Sequence, residues 1–223
     1  MRDPILITGA SRSGVSMTAG VVYFCGAFGG DVCGTKGTDG AGMFGNIPVR
    51  DSIMTPYLKQ IGADLTGQCP LPNTSSLISA PLLKNIFEFE IKRQGCGEDS
   101  LAFYKDFRLC LVWPIWHDAF PNAKWIIVRR AGVDVVASCL KTGYMKAYKS
   151  EFGWNKWLRE YLDRFDEMIN TDLSVTEVWP TKFVEGDFTE IKAVVNKLGL
   201  QWNEERITAF LNPKTEEKTW QRE

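Results

Sequence analysis

The stretch Pro4-Ile5-Leu6-Ile7-Thr8-Gly9-Ala10-Ser11-Arg12-Ser13-Gly14-Val15-Ser16-Met17 constrains this chain more than any other. An apolar run of strand length meets a Gly/Ser turn, and an apolar, helix-compatible segment follows from Met17 to Phe28. Such a strand-turn-helix unit aims backbone N–H groups and the positive end of a helix dipole at one point, which makes it an anion cradle. The turn alone does not name the anion.

A second cationic point lies downstream. Phe120-Pro121-Asn122-Ala123-Lys124-Trp125-Ile126-Ile127-Val128 is an apolar run that ends in Arg129-Arg130, and a helix is predicted from Val135 to Thr142. Strands alternating with helices predict an α/β fold with a parallel sheet, whose ligands gather at the carboxyl ends of the strands. Both arginines and the opening turn then share one edge. Net charge is −1, so there is no broad basic footprint and no nucleic acid is expected; a polyanionic ligand must be met by this local cluster. With 223 residues and nothing resembling a linker, one domain spanning 1–223 is expected. The 44% hydrophobic content suffices for a sizeable core. Six cysteines without a C-x-x-C pair and one histidine predict no metal site. The first strand begins by Pro4, leaving no room for a signal peptide, and no apolar run is long enough to span a bilayer. Reduced thiols in a cytoplasmic protein are the expectation, with no membrane partner.

Three families use turns of the opening kind. The nucleotide P-loop, G-x-x-x-x-G-K-[ST], matches at Gly9, Gly14 and Ser16, but Val15 holds the lysine position that reaches terminal phosphates. Thr8-Gly9-Ala10-Ser11-Arg12 is similar to the opening of a short-chain dehydrogenase, yet Ser13 and Val15 stand where glycines are required, and no Tyr has Lys four residues later. Ser11-Arg12-Ser13-Gly14-Val15-Ser16 resembles the 5′-phosphosulfate loop of PAPS-dependent sulfotransferases, P-[KR]-S-G-[ST]-[ST], with Ser11 for Pro and Val15 for a hydroxyl residue. Arg130, Asp134 and Ser138 reproduce the spacing of that family's R-[ND]-P-x-D-x-x-x-S pattern, with Ala131-Gly132 replacing Asn/Asp-Pro. Lys105-Asp106-Phe107-Arg108-Leu109 is similar to its K-D-P-R-L, and Phe120 to Lys124 to its F-P-[ND]-A-K. The resemblance covers residues 4–17 and 101–140, and Trp179 to Leu200 loosely.

The resemblance implies a three-layer P-loop-type fold, with a central parallel β-sheet flanked by helices. It implies transfer of a sulfuryl group from PAPS, leaving PAP, to a hydroxyl or amine of a small-molecule, glycan or peptide acceptor, with no metal. Ser11, Arg12, Ser13, Gly14, Val15, Ser16 and Met17 would hold the 5′-phosphosulfate. Arg130 and Ser138 would hold the 3′-phosphate with Arg129 in support, and Lys105 would reach the sulfuryl group. The general base is the gap. The histidine that some members carry two residues after the lysine falls on Phe107, and the glutamate that others carry falls on Arg50, in Asn46-Ile47-Pro48-Val49-Arg50-Asp51. Asp51 and Asp106 are the candidates, Asp106 alternatively pairing with Arg108. A PAP/PAPS-binding protein without a base is the main alternative, followed by a nucleotide kinase or a short-chain dehydrogenase. The family's terminal R-K-G-x-x-G-D-W cap is matched only in part by Lys214, Lys218, Trp220 and Arg222.

Elsewhere, Gly26 to Gly45 holds eight glycines and is expected as a loop, either a surface insertion or a lid beside the anion site. Helices are predicted over Asn46–Asp64, Ser76–Arg93 with Glu88 and Glu90 facing solvent, Asn155–Ile169, Thr189–Leu198 with Gly199 after it, and Asn203–Leu211. A strand from Leu101 should lead into a helix that Pro114 kinks, with His117 as a packed or capping side chain rather than a base. Thr181–Glu185 is predicted as a short strand.

Overall fold

The structure is a computed structural model that describes residues 2–33 and 43–211. The middle of the glycine-rich segment, and Lys214, Lys218, Trp220 and Arg222, lie outside the described residues.

In chain order, β1 (Ile5–Gly9) leads into α1 (Val15–Phe24). A continuous helical run follows as α2 (Ile47–Val49), a π-helical turn (Arg50–Met54) and α3 (Thr55–Gln60). Then come α4 (Leu83–Arg93), β2 (Phe103–Lys105), a 3₁₀ turn (Leu109–Leu111), α5 (Trp113–Ala119), β3 (Lys124–Val128) and α6 (Gly132–Lys141). The chain continues through α7 (Glu151–Ile169), β4 (Ser174–Val178), α8 (Pro180–Val184), α9 (Thr189–Leu198) and α10 (Glu204–Leu211).

The four strands form one parallel sheet in the order β2-β1-β3-β4. Alternation along them divides the core. Leu6, Tyr104, Trp125 and Ile127 face α4 to α7, while Ile5, Ile7, Phe103, Ile126 and Val128 face α1, α9 and α10. Helices thus cover both faces, which gives the expected three layers. The chain leaves β1 towards β2 on one side and then crosses to β3 on the other. That reversal opens a crevice at the carboxyl ends of β1 and β3, the place where open α/β sheets bind ligands.

Several boundaries differ from those predicted. The helix expected from Ser76 begins only at Leu83, because Pro81 disfavours helix in the residue before it. Leu82, just before the helix, and Phe89, on its outer face, are exposed, and Glu90 is buried instead of facing solvent; it accepts from Ser52 and Arg93. Pro114 opens α5 near its first position rather than kinking it. Pro56 sits inside the α2–α3 run, and the π-helical turn before it, where the Thr55 N–H reaches back to the Arg50 carbonyl, relieves the ladder that a proline interrupts. Thr181–Glu185 is not a strand, because Pro180 starts α8 there. The strand is β4, which ends at Val178, two residues before that proline. The last two helices form as expected, and Gly199 (φ 77°) ends α9 in the left-handed region.

Candidate functional site

The crevice is built by the close approach of β1 and β3. Gly9 pairs with Val128, and a side chain at Gly9 would place its first carbon 2.7 Å from the Val128 carbonyl oxygen. The Ala10–Gly14 turn and Arg129-Arg130 therefore leave the sheet side by side. Gly14 caps α1 at φ 95°, and a side chain there would press on the Pro180 ring at 3.0 Å. The opening of α8 thus walls the turn from one side.

Arg12 has φ 73°, a region an arginine adopts only when its surroundings hold it there. Two contacts do so. The Arg12 Nε donates to the Ser138 hydroxyl at 2.9 Å, and Arg130 Nη1 donates to the Arg12 carbonyl at 3.1 Å. Both reach across more than a hundred residues of sequence, so the two arginine patterns meet in space. A third contact joins the Ser11 and Tyr144 hydroxyls at 3.0 Å.

The donors of the turn divide into used and free. The Ser13 N–H bonds the Ala10 carbonyl, and the Met17 and Thr18 N–H groups both bond the Gly14 carbonyl. Val15 and Ser16 precede those first helical bonds, so their N–H groups belong to the unpaired helix terminus. The Ser13 hydroxyl lies beneath the turn beside Gly9, buried and without a hydrogen-bond partner. Arg12 and Arg130 are exposed, and among the described residues the one acid paired with either is Asp134, 3.9 Å from Arg130 Nε. The result is a surplus of positive charge over a helix N-terminus, a fit for an anion with two or more charges.

Neither a protein-family model nor a curated protein sequence matches the chain. Among solved structures, the sulfotransferase domain from the Synechococcus PCC 7002 olefin synthase aligns with 96% of this chain and 79% of its own, at a TM-score of 0.56 and 15% sequence identity. The chain has a sulfotransferase fold. The sulfotransferase STF1 from Mycobacterium tuberculosis H37Rv aligns with 94% of this chain and 71% of its own, at a TM-score of 0.47 and 10% identity.

Within this sulfotransferase fold Lys105 and Asp106 sit at the tip of β2, and Asp51 sits on the π-helical turn. Lys105 pairs with Ile7, three residues before the turn begins. It is half-buried, and that burial pulls its ammonium below the ordinary lysine value, with Asp106 drawing it partly back. Asp106 is buried, which alone would raise its carboxyl, but Arg108 outweighs this and holds it below the usual carboxylate range. Arg108 grips it through Nε at 2.8 Å and Nη2 at 2.5 Å, while the Arg108 N–H and the Tyr104 hydroxyl add bonds at 2.9 and 3.2 Å. Asp51 lies on the exposed side of the π-helical turn, where bonds from Arg50 at 2.8 and 3.2 Å lower its carboxyl. Both candidate bases are therefore bound to arginines.

Arg129 points away from the cradle. It pairs with Glu177 and, at 3.8 Å, with Asp166, and stacks over the Phe165 ring. His117 packs beside Trp113, 3.6 Å from Asp172, as a side chain of the helix end. Among the described residues no cluster of His, Cys, Asp or Glu forms a metal site, and no helix is long and apolar enough to cross a membrane. The six cysteines are unpaired. Tyr144 belongs to none of the sequence patterns; only its three-dimensional contact with Ser11 marks it.

Proposed function

We propose that this chain is a PAPS-dependent sulfotransferase that moves a sulfuryl group to a hydroxyl or amine of an acceptor. The observation that carries the reading is the meeting of Arg12, Ser138 and Arg130 at the carboxyl ends of β1 and β3. Two cations and a helix N-terminus in one crevice suit a ligand with separated anionic groups, as PAPS has. Val15 at the position of the nucleotide-kinase lysine argues against a terminal phosphate as the group held.

PAPS would supply the sulfuryl group together with a phosphate leaving group. The Val15 and Ser16 N–H groups, with the Arg12 guanidinium, hold the 5′ end and offset the charge that grows on the bridging oxygen; such preorganised donors are a major source of rate. Arginine is suited to this by its planar fork and permanent charge. Arg130 and Ser138 bind the 3′-phosphate, and the Ser138 hydroxyl holds Arg12 in place from α6. Lys105 faces the sulfuryl oxygens from the tip of β2. Asp106 keeps Arg108 and the β2 tip fixed, and we assign it that role rather than proton transfer; the proton that the acceptor hydroxyl or amine loses as it bonds sulfur passes to solvent, while PAP leaves with the bridging oxygen.

A second reading is a PAP/PAPS-binding protein that transfers nothing. The bonding of Asp51 and Asp106 to arginines favours it, since a positioned base contributes about 10²–10⁴ in rate. Radiolabelled PAPS incubated with a panel of hydroxyl and amine acceptors separates the two. Label appearing in an acceptor, and lost in Arg12→Ala, supports the enzyme; PAP binding without transfer to any acceptor supports the binding protein. Binding of ATP or NADP in place of PAP overturns both.

A further inference from the structure

We propose that Tyr144 is a further residue of the anion site, its hydroxyl acting with that of Ser11, and that Gln68 is the residue that positions it. This rests on the reading of the cradle as the PAPS site and adds a contact that no sequence pattern supplies.

Helix α6 carries Ser138 to Arg12, and the chain continues from it without slack. The Thr142 hydroxyl donates to the Ser138 carbonyl at 2.7 Å, and the Met145 N–H bonds the Thr142 carbonyl at 3.0 Å. Tyr144 lies on this strap, and its hydroxyl returns to Ser11, the residue before Arg12. One helix and its extension thus grip the turn at two successive residues.

Packing anchors the strap only at the buried Met145, next to Tyr144. Tyr144 itself is 51% exposed, and Gly143, Lys146 and Ala147 are exposed as well. Polar bonds from below hold the rest of the strap. Gln68, 4% exposed, donates from Nε2 to the Tyr144 carbonyl at 2.9 Å and accepts at Oε1 from the Lys146 and Ala147 N–H groups at 2.8 and 3.0 Å. Both ends of a buried amide are spent on three backbone groups around one exposed tyrosine. Gln68 is itself fixed. Its N–H bonds Asp64 at 2.7 Å, and the neighbouring Gly67 carbonyl accepts from Trp157 and Tyr161 at 2.9 and 2.8 Å.

The chemistry follows from counting protons. Two hydroxyls bonded to each other use one O–H between them, and the other O–H remains free to donate. Whichever residue donates within the pair, the Ser11–Tyr144 couple can present one O–H beside Arg12.

Calorimetry with PAP and, separately, inorganic pyrophosphate on the wild type, Tyr144→Phe, Gln68→Ala and the double variant tests this. Tyr144→Phe removes one oxygen and leaves the ring, so thermal stability should stay unchanged while PAP affinity falls about tenfold, as for a hydrogen bond to a charged group. Gln68→Ala should weaken PAP binding several-fold in the wild type and add little in the Tyr144→Phe background, a coupling that a loss of general stability would not produce. If wild type and Tyr144→Phe bind PAP equally, the inference falls and the PAPS reading stands. If pyrophosphate binds in a Tyr144-dependent way and PAP does not bind, the PAPS reading falls and the inference stands. Binding of neither probe overturns both.

Discussion

Two arginine clusters stand at neighbouring strand ends and do opposite things. At the tip of β2, Arg108 is buried and its charge is cancelled by Asp106 through paired bonds, with the Leu65 carbonyl taking a further N–H at 2.7 Å. At the tips of β1 and β3, Arg12 and Arg130 bond a hydroxyl and a backbone carbonyl, neither of which carries charge, and the exposed Asp134, 3.9 Å from Arg130 Nε, offsets Arg130 only weakly. The first arrangement holds the protein together, because every charge has its partner inside. The second leaves attraction unspent for something that arrives. A chain that only needed stability would not set an arginine in the left-handed region with its charge uncompensated.

The largest effect should come from the β2 tip. Asp106→Asn leaves Arg108 buried without its counter-charge, which should cost about 3–5 kcal/mol in urea unfolding. Because Arg108 holds the Asp106 carboxyl below its unfolded value, the wild-type contribution is complete above the unfolded pKa and fades as pH falls through the depressed folded one. An Asp106→Asn protein within about 0.5 kcal/mol of wild type would remove the distinction between the clusters.

Arg12→Ala should do the reverse. PAP affinity should drop by about ten- to a hundredfold, while unfolding free energy changes by less than about 1 kcal/mol. Loss of folding in this variant would mark Arg12 as structural.

Lys105 sharpens the contrast, since it is a cation at the β2 tip assigned to ligand. Burial lowers its folded pKa, so its charge is lost as pH rises through that depressed value, earlier than for an ordinary lysine. The rate advantage of wild type over Lys105→Met should shrink over that alkaline interval. An advantage that stays constant into the ordinary lysine range would contradict its role. The smallest effect belongs to Arg129→Ala, which should cost about 1 kcal/mol in stability through its exposed acid partners and the Phe165 ring, with PAP affinity unchanged.

Those residues also show what was legible in the chain and what was not. The turn at Gly9–Gly14, Arg130 and Ser138 were readable because a strand run, a turn and a helix start leave local marks, and parallel strands bring their ends together. The different fates of Arg129 and Arg130 were not readable: adjacent residues at a strand end point to opposite sides, and only the position of β4 gives Arg129 its partner Glu177. That strand was itself hidden, because Ser174–Val178 lies at the sheet edge and lacks a continuous apolar run. Tyr144 and Gln68 carry no pattern at all; they lie 76 positions apart and meet through a side chain bonding backbone. The start of α4 was misplaced because periodicity ran on through Pro81, where backbone sterics overrule it.

Arg130 is the residue on which both the geometry and the resemblance converge, and PAP calorimetry on wild type and Arg130→Ala tests that convergence most directly. PAP should bind the wild type, bind Arg130→Ala at least about tenfold more weakly, and be displaced by neither ATP nor NADP. Equal PAP affinity in the two proteins, or binding of ATP with no binding of PAP, would contradict a 3′-phosphate site at the end of β3.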